Sequence, residues 1–306
     1  MPINILKTLF MSLAIQFDNL GRKISFRQIV ITILTLKSVI ILYFGYLLFN
    51  ALLQDTLVFN NDFYLFMGIG FLAQLIDGAL GMAYGISCTT LLLNFGIPAN
   101  IASASVHASE IFTTGVSGLS HIKYKNIDKK LFFQLVITGT LGAVIGAYVI
   151  SGVLDGNFIK PYIAAYLLLL GIYIIYKGFS KKRTDKKPIK RAPLLALIGG
   201  FMDAIGGGGW GPIVTSNLLS QGKNPRKAIG TVNTAEFFVT YFATSIFIAF
   251  LGIDHWQVIA GLIIGGVIAA PIGAYIVSKI NKKAIFLLVG LLIIITSSYT
   301  LYKAIL

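Results

Sequence analysis

Long apolar stretches dominate this sequence and restrict its fold more than any other feature. A helix needs about 20 predominantly apolar residues to cross a bilayer, and several of these stretches reach that length. Because 56% of the 306 residues are hydrophobic and only 12% are charged, little of the chain is left for a separate soluble domain. The sequence therefore predicts an all-α polytopic membrane protein. In chain order the stretches are Ile29–Leu53, Phe63–Asn94, Ala99–His121, Leu131–Leu154, Phe158–Tyr176, Ala192–Leu219, Ala228–Leu251, Trp256–Ser278 and Ala284–Leu306.

The net charge of +14 comes mainly from short loops between these stretches. Such a charge can attract nucleic acid, but lysines and arginines in short loops set the orientation of a membrane protein by the positive-inside rule. We therefore predict a lipid bilayer as partner and no nucleic acid. The bases at Lys123–Lys130, Lys177–Arg191 and Lys279–Lys283 place these loops and the N-terminus in the cytoplasm. The base-poor loops at Asp155 and Asp254 are predicted to lie outside.

The second half of the chain repeats the first half at an offset of 126 residues. In this register Asp203 falls on Asp77 and Glu236 falls on Glu110, and a shared apolar composition explains neither match. Three further matches pair Gly207 with Gly81, Gly211 with Gly85 and Thr215 with Thr89. A repeat of this length defines the organisation of the chain. We predict an N-terminal segment over 1–27, a first transmembrane helix over 28–54, repeat 1 over 63–178, a basic cytoplasmic linker over 179–191 and repeat 2 over 192–306.

Loop charges predict that the two repeats have opposite orientations in the membrane. Three apolar stretches separate the N-terminus from the inside loop at Lys123, and three separate the linker from the inside loop at Lys279, so one stretch in each set cannot cross. The candidates are the glycine-interrupted stretches Phe63–Asn94 and Ala192–Leu219. We predict each as a re-entrant pair of half-helices, the first entering from outside and the second from inside, which makes the halves inverted repeats. Eight full crossings after the first helix are the alternative, and would place both loops outside.

The two interrupted stretches contain the motifs D-G-A-L-G-M-A-Y-G-I at Asp77–Ile86 and D-A-I-G-G-G-G-W-G-P at Asp203–Pro212. Glycines weaken a helix, and within a bilayer irregular backbone is tolerated only inside protein or along a polar cavity. A half-helix that begins after Gly81 or Gly209 directs free N–H groups at mid-depth and can bind an anion there. The alternative is that the glycines only permit tight helix packing. The predicted substrate-binding residues are Gly81, Tyr84, Gly85, Ser105, His107, Ser109, Gly206, Gly207, Gly208, Gly209, Trp210, Thr231, Asn233 and Thr234.

Four acids in the apolar stretches are predicted to couple solute movement to a cation. Acidic side chains at membrane depth are functional candidates, although ionised carboxylates repel an anion. Each could instead carry a proton or hold a sodium ion that travels with the solute, or cap the half-helix that follows. His107 is either a donor, a proton relay or a hydrogen-bonded core residue. The four acids are Asp77, Glu110, Asp203 and Glu236.

Several of these motifs together resemble the TauE/SafE sulfite exporter family of anion permeases. They are the two glycine-rich segments, A-S-A-S-V-H-A-S-E at Ala102–Glu110 and G-T-V-N-T-A-E at Gly230–Glu236, and the resemblance covers Phe63–Leu306. It implies transport of sulfite, of organosulfonates such as sulfoacetate, or in some members of other small anions. The segment Leu80-Gly81-Met82-Ala83 departs from the family's commoner run of three glycines, which leaves the exact substrate open.

We accordingly predict a secondary transporter in the cell inner membrane that moves sulfite or small organosulfonate anions by alternating access. A permease for small carboxylates or other small anions, and an anion channel, are the alternatives. The single Cys88 excludes an internal disulfide and a Cys-x-x-Cys site, and no His-Glu-x-x-His or Gly-x-Ser-x-Gly motif is present. The sequence thus predicts no enzyme activity, no metal and no cofactor, and it gives no oligomeric state.

Overall fold

A computed structural model describes residues 23–53, 61–80, 82–180, 192–221, 224–252, 255–277 and 282–305, with Gln16, Asn19 and Gly21 in addition. Every regular element in this part of the chain is helical, which confirms the predicted all-α fold. The helices are α1 Phe26–Leu53, α2 Asn61–Leu80, α3 Tyr84–Asn94, α4 Ala99–Lys123, α5 Lys129–Tyr148, α6 Gly156–Phe179, α7 Ala192–Gly206, α8 Ser216–Ser220, α9 Pro225–Leu251, α10 Trp256–Val277 and α11 Lys282–Ile305. A π-helical turn at Val149–Val153 extends α5, and another at Gly211–Thr215 leads into α8.

The described helices form a multi-pass membrane protein. Five of them, α1, α5, α6, α9 and α11, are long and apolar enough to cross a bilayer, while α7 and α10 contain shorter apolar helices. Their outward faces carry exposed large side chains such as Leu42, Leu288 and Ile295. Lipid can cover these side chains, because the backbone polar groups of a helix are satisfied within the helix itself. Most of the predicted segment 1–27 and the linker residues 181–191 lie outside the described part of the chain.

Both glycine-rich motifs interrupt a helix. The first break separates Leu80, the last residue of α2, from Tyr84, the first residue of α3. The second separates Gly206, the last residue of α7, from the π-helical turn that begins at Gly211. Within the second break Gly207 has φ +61°, a left-handed conformation that favours glycine. The predicted discontinuous segments are therefore present, with Gly81 itself outside the described residues.

Helices of one half pack along helices of the other half in a reciprocal way. Helix α2 of the first half lies along α10 of the second, and α7 of the second half lies along α5 of the first. In both pairs a glycine lies at the contact, and because it has no side chain the two backbones come close together. The backbone of Gly70 touches that of Leu262, and Gly200 touches Gly139. Equivalent helices also pack against each other, α4 with α9 and α6 with α11, and α9 packs against α5 as well.

Equivalent helices of the two halves run in opposite directions. Along α4 and α9, Gly115 lies against Phe237 and Gly118 lies against Thr234, so the two helices are antiparallel. Helices α6 and α11 behave in the same way, since Gly171 faces Ile293 while Gly178 faces Phe286. An axis perpendicular to the helices would produce this relation. That the axis lies in the membrane plane stays a prediction.

Contacts also show that α3 turns back toward the side where α2 begins. Tyr84, at the start of α3, touches Ser109 in the middle of α4, whereas α3 ends at Asn94, just before α4 begins. The start of α2 lies against the start of α10. A Cβ atom added to Gly261 there would lie 2.7 Å from Phe66 Cβ. Helix α10 follows the end of α9, which is packed beside the first turns of α4. The start of α2 and the end of α3, which are the outer ends of this interrupted segment, thus lie on the same side of the molecule.

The second interrupted segment has its outer ends on the opposite side. Helix α8 leads into the start of α9, where Lys227 Nζ donates to the carbonyl of Ile127 just before α5. Helix α7 lies parallel to α5, because Gly142 faces Leu197 and Gly146 faces Phe201. The two helix breaks therefore approach each other from opposite sides and meet near the centre of the bundle.

Candidate functional site

A cavity of about 310 Å³ lies where the two helix breaks meet. Its wall is part backbone, at Gly85, Gly208, Gly209 and Gly211, and part side chain. Eleven polar or ionisable side chains and four apolar ones complete it. These are Gln74, Asp77, Met82, Tyr84, Ile86, Glu110, Thr113, Thr114, Ser117, His121, Asp203, Pro212, Ile229, Asn233 and Glu236. All four acids that the sequence singles out thus face one small space.

The two breaks touch each other through backbone atoms. The site of a Cβ on Gly85 is 3.1 Å from the carbonyl oxygen of Gly207 and 3.1 Å from Gly208 Cα. Likewise, a Cβ atom added to Gly208 would lie 2.7 Å from the Gly85 carbonyl carbon. Thr89 reinforces the contact, because its hydroxyl donates to the Gly207 carbonyl. The glycines consequently serve packing and also leave backbone exposed to the cavity, while anion binding by this backbone stays a prediction.

Each aspartate of the repeated motif caps the half-helix that follows it. Asp77 Oδ1 accepts hydrogen bonds from the backbone N–H groups of Ala83 at 2.8 Å and Tyr84 at 3.2 Å. At the equivalent place Asp203 Oδ1 accepts from the N–H of Trp210 at 2.8 Å. A carboxylate at a helix N-terminus satisfies donors that have no partner within the helix and interacts favourably with the helix dipole. Capping is therefore one role of both aspartates, as one of the sequence alternatives states.

The four acids belong to two equivalent triads that cross between the halves. The first, which we call the closed triad, combines Asp203 of the second half with His107 and Glu110 of the first. His107 Nε2 lies 3.3 Å from Asp203 Oδ2, and one ligand atom from each of the three residues lies within 4.8 Å of the others. All three side chains are buried. Among the described residues, this group is the one arranged to hold a metal ion.

The second triad, which we call the open triad, consists of Asp77, Asn233 and Glu236 at the equivalent positions. All three line the cavity and are only partly buried. Asn233 donates from Nδ2 to the hydroxyl of Ser117 at 3.2 Å. The open triad therefore lines the cavity with all three residues, whereas in the closed triad Glu110 and Asp203 line it and His107 alone lies behind the wall.

Several residues predicted for the substrate site lie behind the wall instead. Trp210 is fully buried and donates its indole N–H to the Val232 carbonyl at 3.3 Å. Ser109 bridges the Val106 carbonyl and the Tyr84 hydroxyl. The other predicted residues that do not line the cavity are Ser105, His107, Gly206, Gly207, Thr231 and Thr234. Of these, Thr231 and Thr234 donate to the carbonyls of Lys227 and Gly230 on their own helix. Tyr84, Gly85, Gly208, Gly209 and Asn233 do line it.

A polar stripe on α4 also lines the cavity and was not among the predicted residues. Thr113, Thr114, Ser117 and His121 follow Glu110 at spacings of three, four, seven and eleven residues, which places them along one face of a helix. On α2, Gln74 precedes Asp77 by three residues in the same way. The helical spacing from each acid is the signal that would have identified these residues.

Residues 66–300 match the family described as Sulfite exporter TauE/SafE. The chain belongs to this family. The resemblance noted in the sequence is thus confirmed, and the matched region of this TauE/SafE protein contains both helix breaks and both triads but not α1. It is 48% identical over 245 residues to the Bacillus subtilis (strain 168) protein named "Probable membrane transporter protein YtnM", covering 77% of this chain and 81% of the relative.

A second relative of this TauE/SafE protein, "Probable membrane transporter protein YunE" of the same organism, is 21% identical over 272 residues, covering 80% of this chain and 99% of the relative. No solved structure shows a significant match. The family and the names of both relatives make this chain a membrane transporter, as predicted.

Proposed function

We propose that this TauE/SafE protein is a secondary transporter that carries sulfite or small organosulfonate anions through the central cavity by alternating access. One observation supports this proposal above all others, namely that two half-helices from opposite sides begin at the same cavity. The first N–H groups of these half-helices already donate to Asp77 and Asp203, so their attraction for an oxyanion comes from the helix dipoles and from glycine backbone that a solute can approach closely. The family name, Sulfite exporter TauE/SafE, indicates the same class of solute.

The cavity suits a small polar solute. Its volume of about 310 Å³ lies at the low end of the range of ligand pockets, which is about 300–1,000 Å³. Asn233 and Ser117 supply neutral donors to the cavity and can bind oxyanion oxygens without adding charge. The amide of Asn233 is the best placed of these groups, because it lines the cavity from α9 and is oriented by its hydrogen bond to Ser117 of the stripe on α4.

Counterflow into proteoliposomes tests the proposal directly. Purified protein is reconstituted with unlabelled sulfite inside, and uptake of labelled sulfite is competed with sulfoacetate, thiosulfate, acetate and chloride. We expect sulfur oxyanions to compete and acetate and chloride to fail. With the membrane potential clamped at zero by valinomycin and equal potassium, counterflow also separates a carrier from a channel, because a channel then cannot concentrate the label above its outside concentration.

The variant Asn233→Ala tests the cavity as the route. It removes one neutral donor, so we expect at least about a tenfold loss of exchange, since one hydrogen bond to a charged group contributes about 1.5–3 kcal/mol. Ser245→Ala is the matched control on the same helix, because Ser245 is exposed and bonds only the carbonyl of Tyr241. Exchange with acetate but not with sulfur anions would replace the proposed substrate by a carboxylate. Equal exchange in both variants would reject the cavity.

A further inference from the structure

The closed triad brings a ring nitrogen and a carboxylate oxygen together, and neither atom has a hydrogen-bond partner. His107 Nδ1 lies 2.9 Å from the carbonyl oxygen of Ser103, which can only accept a hydrogen bond. When the imidazole is neutral, as metal binding requires, its proton is therefore on Nδ1 and Nε2 carries a lone pair. That lone pair points toward Asp203 Oδ2, a second acceptor, at 3.3 Å. Both atoms are buried and neither has a hydrogen-bond partner.

The separation of these two atoms suits a metal ion better than a hydrogen bond. A charge-assisted N–H···O bond is about 2.7–2.9 Å long, and the observed 3.3 Å exceeds it. Two ligand atoms at about 2.1 Å from one tetrahedral metal ion lie about 3.4 Å apart. Glu110 brings a second carboxylate, since its ligand atom is within 4.8 Å of the other two. One nitrogen and two carboxylate oxygens thus face the same small space, and a shift of less than about 1 Å brings all three within about 2.1 Å of one ion.

The groups behind the triad support its side chains as they do in metal sites. A histidine that binds a metal through one nitrogen usually donates from the other to a carbonyl or carboxylate, as His107 does to Ser103. The carboxylate ligands of metal sites are in turn hydrogen-bonded, as Asp203 Oδ1 is to the N–H of Trp210. Ser103 is itself held in place, because its hydroxyl donates to the Ala204 carbonyl at 2.5 Å.

The open triad provides an internal comparison. It has the same two acids at equivalent positions, but Asn233 replaces the imidazole of His107 and the whole group faces the cavity. An amide offers its nitrogen only as a donor, so the open triad cannot supply a nitrogen ligand. The two triads therefore differ in two respects. The closed triad has an imidazole where the open triad has an amide, and its side chains are more deeply buried.

We propose that His107, Glu110 and Asp203 form a binding site for one divalent metal ion of the class that combines imidazole and carboxylate ligands, such as Zn²⁺, Mn²⁺ or Co²⁺. Two positive charges balance the two carboxylates of the triad, which are otherwise buried beside a space intended for an anion. The ion therefore reduces the negative potential at the wall of the cavity. This proposal is independent of which solute is carried, because it concerns metal binding alone.

Co²⁺ binding to chelator-stripped, detergent-purified full-length protein is the test. We expect one Co²⁺ per chain by calorimetry, visible absorption bands typical of four- or five-coordinate cobalt, and displacement by Zn²⁺. His107→Asn installs the residue of the open triad, and Asp203→Asn removes the facing carboxylate. Removing a group that only orients a ligand costs about 10–100-fold in metal affinity, so loss of a ligand should weaken binding by more than about 100-fold.

Asp77→Asn is the matched control, because it makes the same change at the equivalent cap of the open triad. It should bind Co²⁺ like the unaltered protein. Elution as a single species and an unchanged thermal midpoint without metal establish that each variant is folded. X-ray absorption of the Zn²⁺-loaded unaltered protein adds a readout that needs no variant, with imidazole and oxygen ligands expected and no sulfur. Absence of stoichiometric binding, a sulfur ligand, or equal loss in Asp77→Asn would each overturn the proposal.

Discussion

At the scale of single residues, the aspartates of the two glycine-rich motifs combine two tasks. One oxygen of each carboxylate caps a half-helix, at Ala83 and Tyr84 in the first motif and at Trp210 in the second. The rest of the side chain is directed toward the centre of the molecule, where both residues line the cavity. A role in structure and a role in the site thus depend on different atoms of the same group, and substitutions can separate them.

Asp77→Ala should lower stability more than Asp77→Asn. Alanine removes the acceptor of two backbone N–H groups, which costs about 0.5–2 kcal/mol for a helix cap, whereas asparagine retains a carbonyl oxygen in the same place. The comparison is made by thermal unfolding in detergent at one scan rate, because membrane proteins often unfold irreversibly. Equal midpoints for the two variants would show that the capping bonds contribute nothing measurable.

At the scale of helices, close contact between the halves depends on glycine at the crossing points. Along the pair α2 and α10, the site of a Cβ on Gly70 is only 2.7 Å from Leu262 Cα. A methyl group there has no space unless the helices separate. In a membrane, small residues at an interface replace the hydrophobic effect as the source of association, since lipid is as apolar as the side chains themselves.

Gly70→Ala should therefore destabilise the protein, by about 1–3 kcal/mol if the cost is that of ordinary overpacking. Gly68→Ala, two residues earlier on the same helix, is the control, because a Cβ there meets nothing within 4 Å. Alanine favours a helix over glycine, so this control should be neutral or slightly more stable. Thermal midpoints of both variants in the same detergent provide the measurement. A loss of stability in Gly68→Ala equal to that in Gly70→Ala would contradict the packing argument.

At the scale of the whole molecule, the two interrupted segments have their outer ends on opposite sides. Cysteine labelling with an impermeant maleimide can test this arrangement in a membrane, in a background that carries Cys88→Ser. Cysteines at the exposed positions Asn61 and Phe95 should react from one side, and those at Tyr124 and Ser220 from the other. Labelling of Asn61 and Phe95 from different sides would show that α2 and α3 together cross the bilayer.

Much of this organisation could be predicted from the sequence, because it depends on the order of residues along the chain. The duplication, the helix breaks and the alignment of Asp203 with Asp77 are of this kind. The approach of His107 to Asp203 is not, because an alignment of two halves shows which residues are equivalent and not which surfaces meet. For the same reason Trp210 was expected to face the cavity, whereas it is buried behind it. The polar stripe from Thr113 to His121 was predictable in principle from helical spacing.

The unequal burial of the two triads has a consequence for the proposed alternating access. Two identical and inverted halves would give two conformations of equal free energy, one open to each side of the membrane. In this protein Asp203 is only 3% exposed, whereas Asp77 remains partly open. An exchange of conformations between the halves would bury Asp77 beside Asn233, where no imidazole is present. If the protein works by the proposed alternating access, its two conformations differ in free energy, and we expect it to rest facing one side even when no gradient is applied.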